Sequence, residues 1–292
     1  MAATLDFYER LDNLLVFRQG EQRAPHKPLY LLYCIAGVQS GRSRLQSFDA
    51  ISPVLKSALR IFGPWAKSLH PEYPFWRLQN DGLAEVLYDG PLNIRQGNND
   101  PTVSSLRQQN ARGGLLQRDY EMLRGKLEFQ SLAVHKILDG HFPRSIHDEI
   151  IRFFGLTLEE PHAKDKISDV GFHNNVLAAY GNRCALTGFN LEVAGRPVGV
   201  EAAHIFWPQS GGNDEVSNGI AMTALHRKLF HLGLFSIQPD YKIIVSSQAV
   251  DKGDSQLALS SISGLRIALP QDKVLWPNPT ALLWHQRWVF RD

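Results

Sequence analysis

The spacing of large apolar residues changes character several times along the chain. Leu5, Tyr8, Leu11 and Leu15 recur at intervals of three and four, the period of a helix with one buried face. Pro28 suits the first turn of a helix, and the LYLLYCIAGV run that follows is apolar almost throughout. It predicts a second helix, buried on most sides. A third helix is predicted over 48–62. Residues 75–79 and 84–87 read as short strands, joined by Asn80-Asp81-Gly82, a hairpin turn signal. Residues 89–114, rich in Gly, Asn, Arg and Gln, predict a long polar loop. Helices over 119–140 and 145–154 follow it.

Residues 157–171 (TLEEPHAKDKISDVG) are polar and nearly free of large apolar side chains, which predicts a linker. The expected division is therefore a domain over 1–156, a linker over 157–171 and a domain over 172–292. In the second part the pattern predicts a helix over 172–180, a turn at Cys184-Ala-Leu-Thr-Gly188 and a strand over 198–206. A Gly- and Asn-rich loop, a helix over 218–230 and a hairpin from 234–237 and 242–246 follow. The fold class expected is α+β, with a mostly helical N-terminal domain.

Composition narrows the function classes. A length of 292 residues is compatible with two domains of about 150 residues. Hydrophobic residues at 43% and charged residues at 21% exclude disordered and low-complexity classes. Lys and Arg number 31 against 29 acids, a net charge of +2, so any affinity for nucleic acid must come from local clustering of cations. Cys34 and Cys184 are too few for a disulfide scaffold or a four-cysteine zinc site, and they point to a reducing, cytoplasmic setting. The start of the sequence lacks the apolar segment of a secretion signal, and no run approaches the ~20 residues of a membrane span.

The chemistry concentrates in Glu201-Ala-Ala-His204-Ile, Asn218-Gly-Ile and Leu225-His226-Arg227-Lys-Leu-Phe230-His231-Leu-Gly233. Asn218 follows His204 by 14 residues and precedes His226 by 8. A His on a strand, an Asn starting a helix and a His on that helix would form a finger able to hold one divalent metal. Phosphodiester hydrolysis needs a base for water, which a neutral imidazole provides near pH 7, and a cation beside the developing charge. Asn218 could hydrogen-bond the intervening loop and so aim the histidine.

This segment resembles the HNH, or ββα-metal, nuclease motif of restriction endonucleases, over about residues 172–237. The resemblance implies that His204 is the general base, Asn218 the loop-orienting residue and His226 a catalytic helix residue. It also implies a divalent ion, Mg²⁺ or Mn²⁺. The position before the base, often an acid or His in the family, is Ala203. Glu201, on the same strand face, is the substitute ligand expected. Where the family has a second His on the helix, this chain has Arg227, so His226 or His231 is expected to complete the metal set. With Cys184 alone, no structural cysteine-ligated zinc is expected.

Pro25-His26-Lys27-Pro28, His70-Pro-Glu-Tyr73-Pro74-Phe-Trp-Arg77 and Asn80-Asp-Gly-Leu83 resemble the sulfur-binding domain of McrA-like, phosphorothioate-dependent restriction endonucleases, over about residues 5–155. Sulfur is larger, more polarizable and a poorer acceptor than oxygen, so an apolar concavity can favour it through dispersion while oxygen loses water for nothing. The resemblance implies a pocket where the His26-Lys27 and Tyr73-Pro74 turns meet, with Arg77 at a position that is small in the family. Arg95, Arg107, Gln109, Asn110 and Arg112, whose forked groups match base edges, are expected to read sequence beside the sulfur, with Gly113-Gly114 allowing close approach of the backbone.

The implied protein is an endonuclease acting on double-stranded DNA that carries phosphorothioate. It is expected to work as a homodimer, because cutting a duplex takes two nicks. Two alternatives stay open: an HNH nuclease that reads a methylated base, and a modified-DNA-binding protein with an impaired finger.

Overall fold

A computed structural model describes residues 2–16, 18–19, 22–23, 25–63, 68–159, 170–252 and 259–292. The chain divides into two compact units, Met1–Glu160 and Pro161–Asp292. Most of the predicted linker, residues 160–169, lies outside the described residues. Its first residues are bound to the N-terminal unit: Thr157 exchanges two hydrogen bonds with the Gln39 side chain, and the Glu159 amide donates to Ser131 Oγ.

In the N-terminal unit α1 (Ala2–Asp12) precedes a two-residue ribbon, β1 (Arg18–Gln19) and β2 (Gln22–Arg23). The central helix α2 (His26–Gln39) is buried from Pro28 to Ala36 except at Cys34 and, as its apolar run predicts, packs on most sides. Strand β3 (Gln46–Ser47) leads into α3 (Phe48–Phe62), whose start Ser47 caps by accepting from the Ala50 amide. Then come α4 (Glu72–Arg77), β4 (Ala84–Leu87), α5 (Val103–Gln108), β5 (Arg112–Leu115), α6 (Gln117–Leu123), α7 (Leu127–His141) and α8 (His147–Phe154). The small sheet runs β3-β5-β4, with both pairings antiparallel.

Three expectations are corrected here. Residues 75–79 are helical, continuing through a 3-10 turn (Leu78–Asp81) to Gly82 at φ 65. Asn80-Asp81-Gly82 therefore ends a helix. A glycine with positive φ serves a helix C-terminus as readily as a hairpin, and burial of Pro74, Phe75 and Leu78 follows the helical period. Residues 89–114 are no open loop, since they contain α5 and the central strand β5. Gly113 and Gly114 meet close packing within the protein: a Cβ on Gly113 would stand 2.7 Å from the Phe75 ring, and one on Gly114 would overlap the Arg44 carbonyl. Their missing side chains let β5 lie against the core and β3. The helix expected over 119–140 is two helices, parted at Gly125, φ 69.

In the C-terminal unit α9 (Val170–Ala179) is followed by the ribbon β6 (Glu192–Val193) and β7 (Arg196–Pro197). Next are β8 (Val200–His204), β9 (Gly219–Thr223), α10 (Ala224–His231), β10 (Phe235–Ile237), β11 (Ile243–Val245), α11 (Leu259–Ile262) and α12 (Pro279–Trp288). Strands β8 and β9 pair antiparallel with His204 opposite Gly219, and α10 follows directly, so the core of this unit is β-β-α. The helix expected from 218 is thus strand first. Asn218 ends a 3-10 turn before β9, and the helix begins at Ala224 under a Thr223 cap. The strand period of Gly219–Thr223 does not show because both faces of β9 are buried, and a continuously apolar run has no diagnostic period. The hairpin expected near 234–246 is β10 with β11.

Candidate functional site

In the C-terminal unit His204 ends β8 and its ring stacks on Phe172 of α9, centroids 3.7 Å apart and nearly parallel. Gly219, opposite His204, makes room for this: a Cβ there would approach Phe172 to 2.8 Å. Nε2 of His204 lies 2.9 Å from Asp214 Oδ1. An imidazole held between a ring face and a carboxylate is fixed in orientation, and the carboxylate favours the protonated ring that a general base becomes.

Asp214 sits on the loop between the strands, and Asn218 shapes that loop. Its Oδ1 accepts from the Phe206 amide at 2.9 Å, and its Nδ2 donates to the carbonyls of Phe206 (2.9 Å) and Asn213 (2.8 Å). One buried amide thus ties both ends of the loop and brings Asp214 back to His204. Replacing Asn218 with Ala leaves three loop groups unmatched, each worth about 1–3 kcal/mol when buried. The expected result is faster amide hydrogen exchange across 206–214 with the rest of the unit protected. Unchanged exchange there would remove the loop-holding role.

The residues expected to bind metal are not brought together. Glu201 Oε2 is paired with Arg227 Nη1 at 2.6 Å. His226 is buried, its Nδ1 2.7 Å from Thr223 Oγ1, and it also hydrogen-bonds Cys184. Burial alone would raise the Cys184 thiol, but bonds from His226, Thr187 and Leu186 outweigh it and bring its pKa down to about 7. His231 Nε2–H donates to the His204 carbonyl at 3.1 Å, and burial, with Arg227 nearby, drives its pKa well below the usual value. A nitrogen that carries this proton has no lone pair for a cation. Among the described residues no group of three or more His, Cys, Asp or Glu could hold a metal ion. The side chains as placed do not fit the divalent ion of an HNH finger.

In the N-terminal unit the second constellation gathers around Tyr73. Its half-buried ring stacks on His70 at 4.7 Å, with the Arg77 guanidinium 4.4 Å and that of Arg95 5.5 Å from its centroid. Arg95 Nη1 also donates to the Tyr73 hydroxyl at 3.1 Å. Two buried carboxylates hold these arginines. Asp100 takes Arg77 through several contacts, among them Nε to Oδ2 at 3.0 Å, and Glu72 takes Arg95 at 2.9 Å. Pro74 is buried beside Phe75, while Tyr73, like Trp76 and Arg77, is half-buried. Lys27 is bound to Asp81 at 2.6 Å and to the Leu15 carbonyl. His26 is pushed down to about pKa 4, first by burial and then by His70 and Arg77, with Glu72 opposing.

This last shift has a sign that can be tested. The unfolded chain takes up a proton at His26 below about pH 6.5, and the folded chain does so only near 4. Stability present above 6.5 is therefore lost as pH falls toward 4. Thermal unfolding of the full chain should show a His26→Gln variant losing less of its midpoint over that window than the wild type. Parallel curves would mean that His26 is not held neutral.

The residues expected to read bases fall in two places. Arg95 belongs to the Tyr73 cluster. Arg107, Asn110 and Arg112 border a cavity of about 330 Å³ with Ser47, Asp49 and Asp89, and Gln109 lies beside Gly90. Sequence reasoning missed Asp214, Phe172, Glu72 and Asp100. The available signals were the acid pair in the loop before Asn218 and Glu72 beside the aromatic turn; Phe172 and Asp100 carried none.

Comparison with known proteins agrees with this division. Residues 4–159, just over half of the chain, match the model of the ScoMcrA-like DNA sulfur-binding domain, and the chain belongs to that family. Residues 184–238 match the HNH endonuclease model, so a DNA sulfur-binding domain and an HNH endonuclease domain stand in one polypeptide. No curated protein matches the chain. Among solved structures, it is similar to the sulfur-binding domain of ScoMcrA complexed with phosphorothioated DNA, at 24% identity and TM-score 0.45, covering 51% of this chain and 95% of that one. The corresponding SprMcrA complex aligns at 21% identity and TM-score 0.44, covering 52% and 94%. The Type IV phosphorothioation-dependent restriction endonuclease ScoMcrA aligns at 24% identity and TM-score 0.44, and the match spans 32% of its length and 51% of this chain. Among the described residues no helix is long and apolar enough to cross a membrane.

Proposed function

We propose that this protein is a modification-dependent restriction endonuclease that locates a phosphorothioate linkage with its N-terminal domain and hydrolyses a nearby phosphodiester with its HNH domain. The observation that carries the reading is the pairing of the two matched domains in one chain, each with its own constellation. Tyr73 is the contact for sulfur. Arg77 and Arg95, fixed by Asp100 and Glu72, face the remaining oxygen and the neighbouring phosphates. His204 removes the proton from the attacking water. Asp214 stabilises the imidazolium, and Asn218 keeps the loop in place.

HNH domains generally use a divalent metal, and a requirement for Mg²⁺ or Mn²⁺ is part of the proposal. Among the described residues no three His, Cys, Asp or Glu side chains gather to hold the ion. Two molecules acting on opposite strands, in a homodimer in the cytoplasm, complete the reading. The test is incubation of the same plasmid, with and without phosphorothioate, in Mg²⁺, Mn²⁺ or a chelator. Cleavage of the modified plasmid alone, abolished by chelation, is expected. Equal cleavage of both plasmids would overturn the modification-dependent reading.

One alternative draws on a specific observation. The Glu201–Arg227 pair and the occupied nitrogens of His226 and His231 favour a modified-DNA-binding protein with an impaired finger. Selective binding without cleavage in either metal would establish it.

A further inference from the structure

The cations of the N-terminal interface are each matched by an acid of the same unit. Lys27 has Asp81, Arg77 has Asp100 and Arg95 has Glu72. Arg107 pairs with Asp49 at 2.8 Å, and Arg112 lies 3.7 Å from Asp89. The five pairs are of two kinds. Asp81, Glu72 and Asp100 are buried, with side chains 3%, 2% and 5% exposed, and they fix the direction of Lys27, Arg95 and Arg77. Asp49 and Asp89 are 65% and 54% exposed, and their arginines 51% and 54%. Asp49 and Arg107 suit the helix ends they occupy, but exposed ion pairs contribute little to stability, so the pairing of these charges with one another adds little to the fold.

These two pairs lie on one cavity. Asp49, Asp89, Arg107, Asn110 and Arg112 line about 330 Å³ above Phe48, Leu106 and Ala111, and Asn110 Nδ2 also donates to Asp89 at 2.9 Å. A site for phosphate would present donors alone. This one presents donors and two carboxylate acceptors side by side, a mixture that matches the edge of a nucleobase, where amino groups and carbonyls alternate. Against a phosphate oxygen the same carboxylates are repulsive.

We infer that this cavity takes a base edge and rejects phosphate, making Asp49 and Asp89 specificity-determining residues that suppress binding to unmodified DNA. The inference rests on the proposed location of a phosphorothioate linkage by the N-terminal domain. With the Tyr73 site engaged, the cavity faces bases and the carboxylates accept from amino groups. On unmodified DNA no contact fixes the register, phosphates pass the cavity, and the acids cancel the pull of Arg107 and Arg112. Such repulsion against the wrong partner gives selectivity without added affinity for the right one.

The full chain, its Asp49→Asn/Asp89→Asn variant and its Asp49→Glu/Asp89→Glu variant would be titrated over a salt series. The probes are a duplex with one phosphorothioate and its unmodified counterpart. For the Asn variant the expected result is about tenfold tighter binding to the unmodified duplex at low salt. The log–log salt slope should steepen by roughly 2, since each uncompensated cation releases about one counterion. Affinity for the modified duplex should move less than about threefold, and the Glu variant should behave as wild type. Unchanged slopes, or a parallel rise for both duplexes, would overturn the inference while leaving the proposed function standing. A wild type that does not distinguish the two duplexes would overturn the proposed function and this inference with it.

Discussion

Replacing His204 with alanine is expected to lower DNA cleavage by about 10²–10⁴-fold, the range that a positioned general base contributes, while binding to DNA stays unchanged. The separation is physical. His204 belongs to the C-terminal unit, with its ring against Phe172 and Nε2 on Asp214, and the constellation proposed to hold the modified linkage is built within residues 25–112 of the other. Loss of the ring removes the proposed acceptor of the water proton but leaves β8 and β9 paired, because their register depends on backbone bonds and the Asn218 loop contacts. Asp214→Asn should cost less, since it takes away the partner of the imidazolium and not the base. Single-turnover cleavage beside a gel shift on the same preparations measures both. Cleavage that survives His204→Ala would take the base role away from this residue.

Tyr73→Ala should reduce the preference for phosphorothioate over unmodified duplex by about tenfold. In the proposed reading the ring is the polarizable surface against which sulfur gains dispersion energy, and burial of that part of an aromatic side chain is worth on the order of 1–2 kcal/mol. Arg77 and Arg95, which lie over the ring, stay held by Asp100 and Glu72, so the change should show as weaker binding to modified DNA with little change on the unmodified duplex. Tyr73→Phe keeps the face and loses only the hydroxyl that accepts from Arg95, and it should retain most of the preference. Competition titrations with the two duplexes read the ratio. An unchanged ratio in Tyr73→Ala would place the sulfur contact elsewhere.

The parts of this architecture that were legible in the sequence are those written in local patterns. The run after Pro28 gave α2, and the 48–62 period coincides with α3. The His204, Asn218, His226 spacing marked a segment that the HNH model matches. What stayed hidden depends on contacts remote in sequence. Phe75 and Leu78 follow a helical period only once the core they face is known, and Asn80-Asp81-Gly82 serves a helix end and a hairpin equally well. Gly113 and Gly114 read as freedom for a ligand, whereas Phe75 and the Arg44 carbonyl occupy the space. The arginines looked like free cations because nothing local shows that Arg77 will find Asp100, 23 residues away, or that Arg107 will find Asp49, 58 residues back. The metal set failed for the same reason: Glu201 and Arg227 are 26 residues apart and meet across β8 and α10. Sequence spacing identified the residue types of the finger, but packing decided which of them face one another.

The proposed activity depends first on recognition of sulfur by the Tyr73 cluster. The most direct measurement is a gel-shift comparison of the full chain on one duplex, with and without a single phosphorothioate of defined stereochemistry, in the presence of unmodified competitor. A shift that competitor does not remove, confined to one stereoisomer and weakened by Tyr73→Ala, is the expected result. Equal affinity for the sulfur-bearing duplex, its other stereoisomer and the unmodified duplex would contradict it.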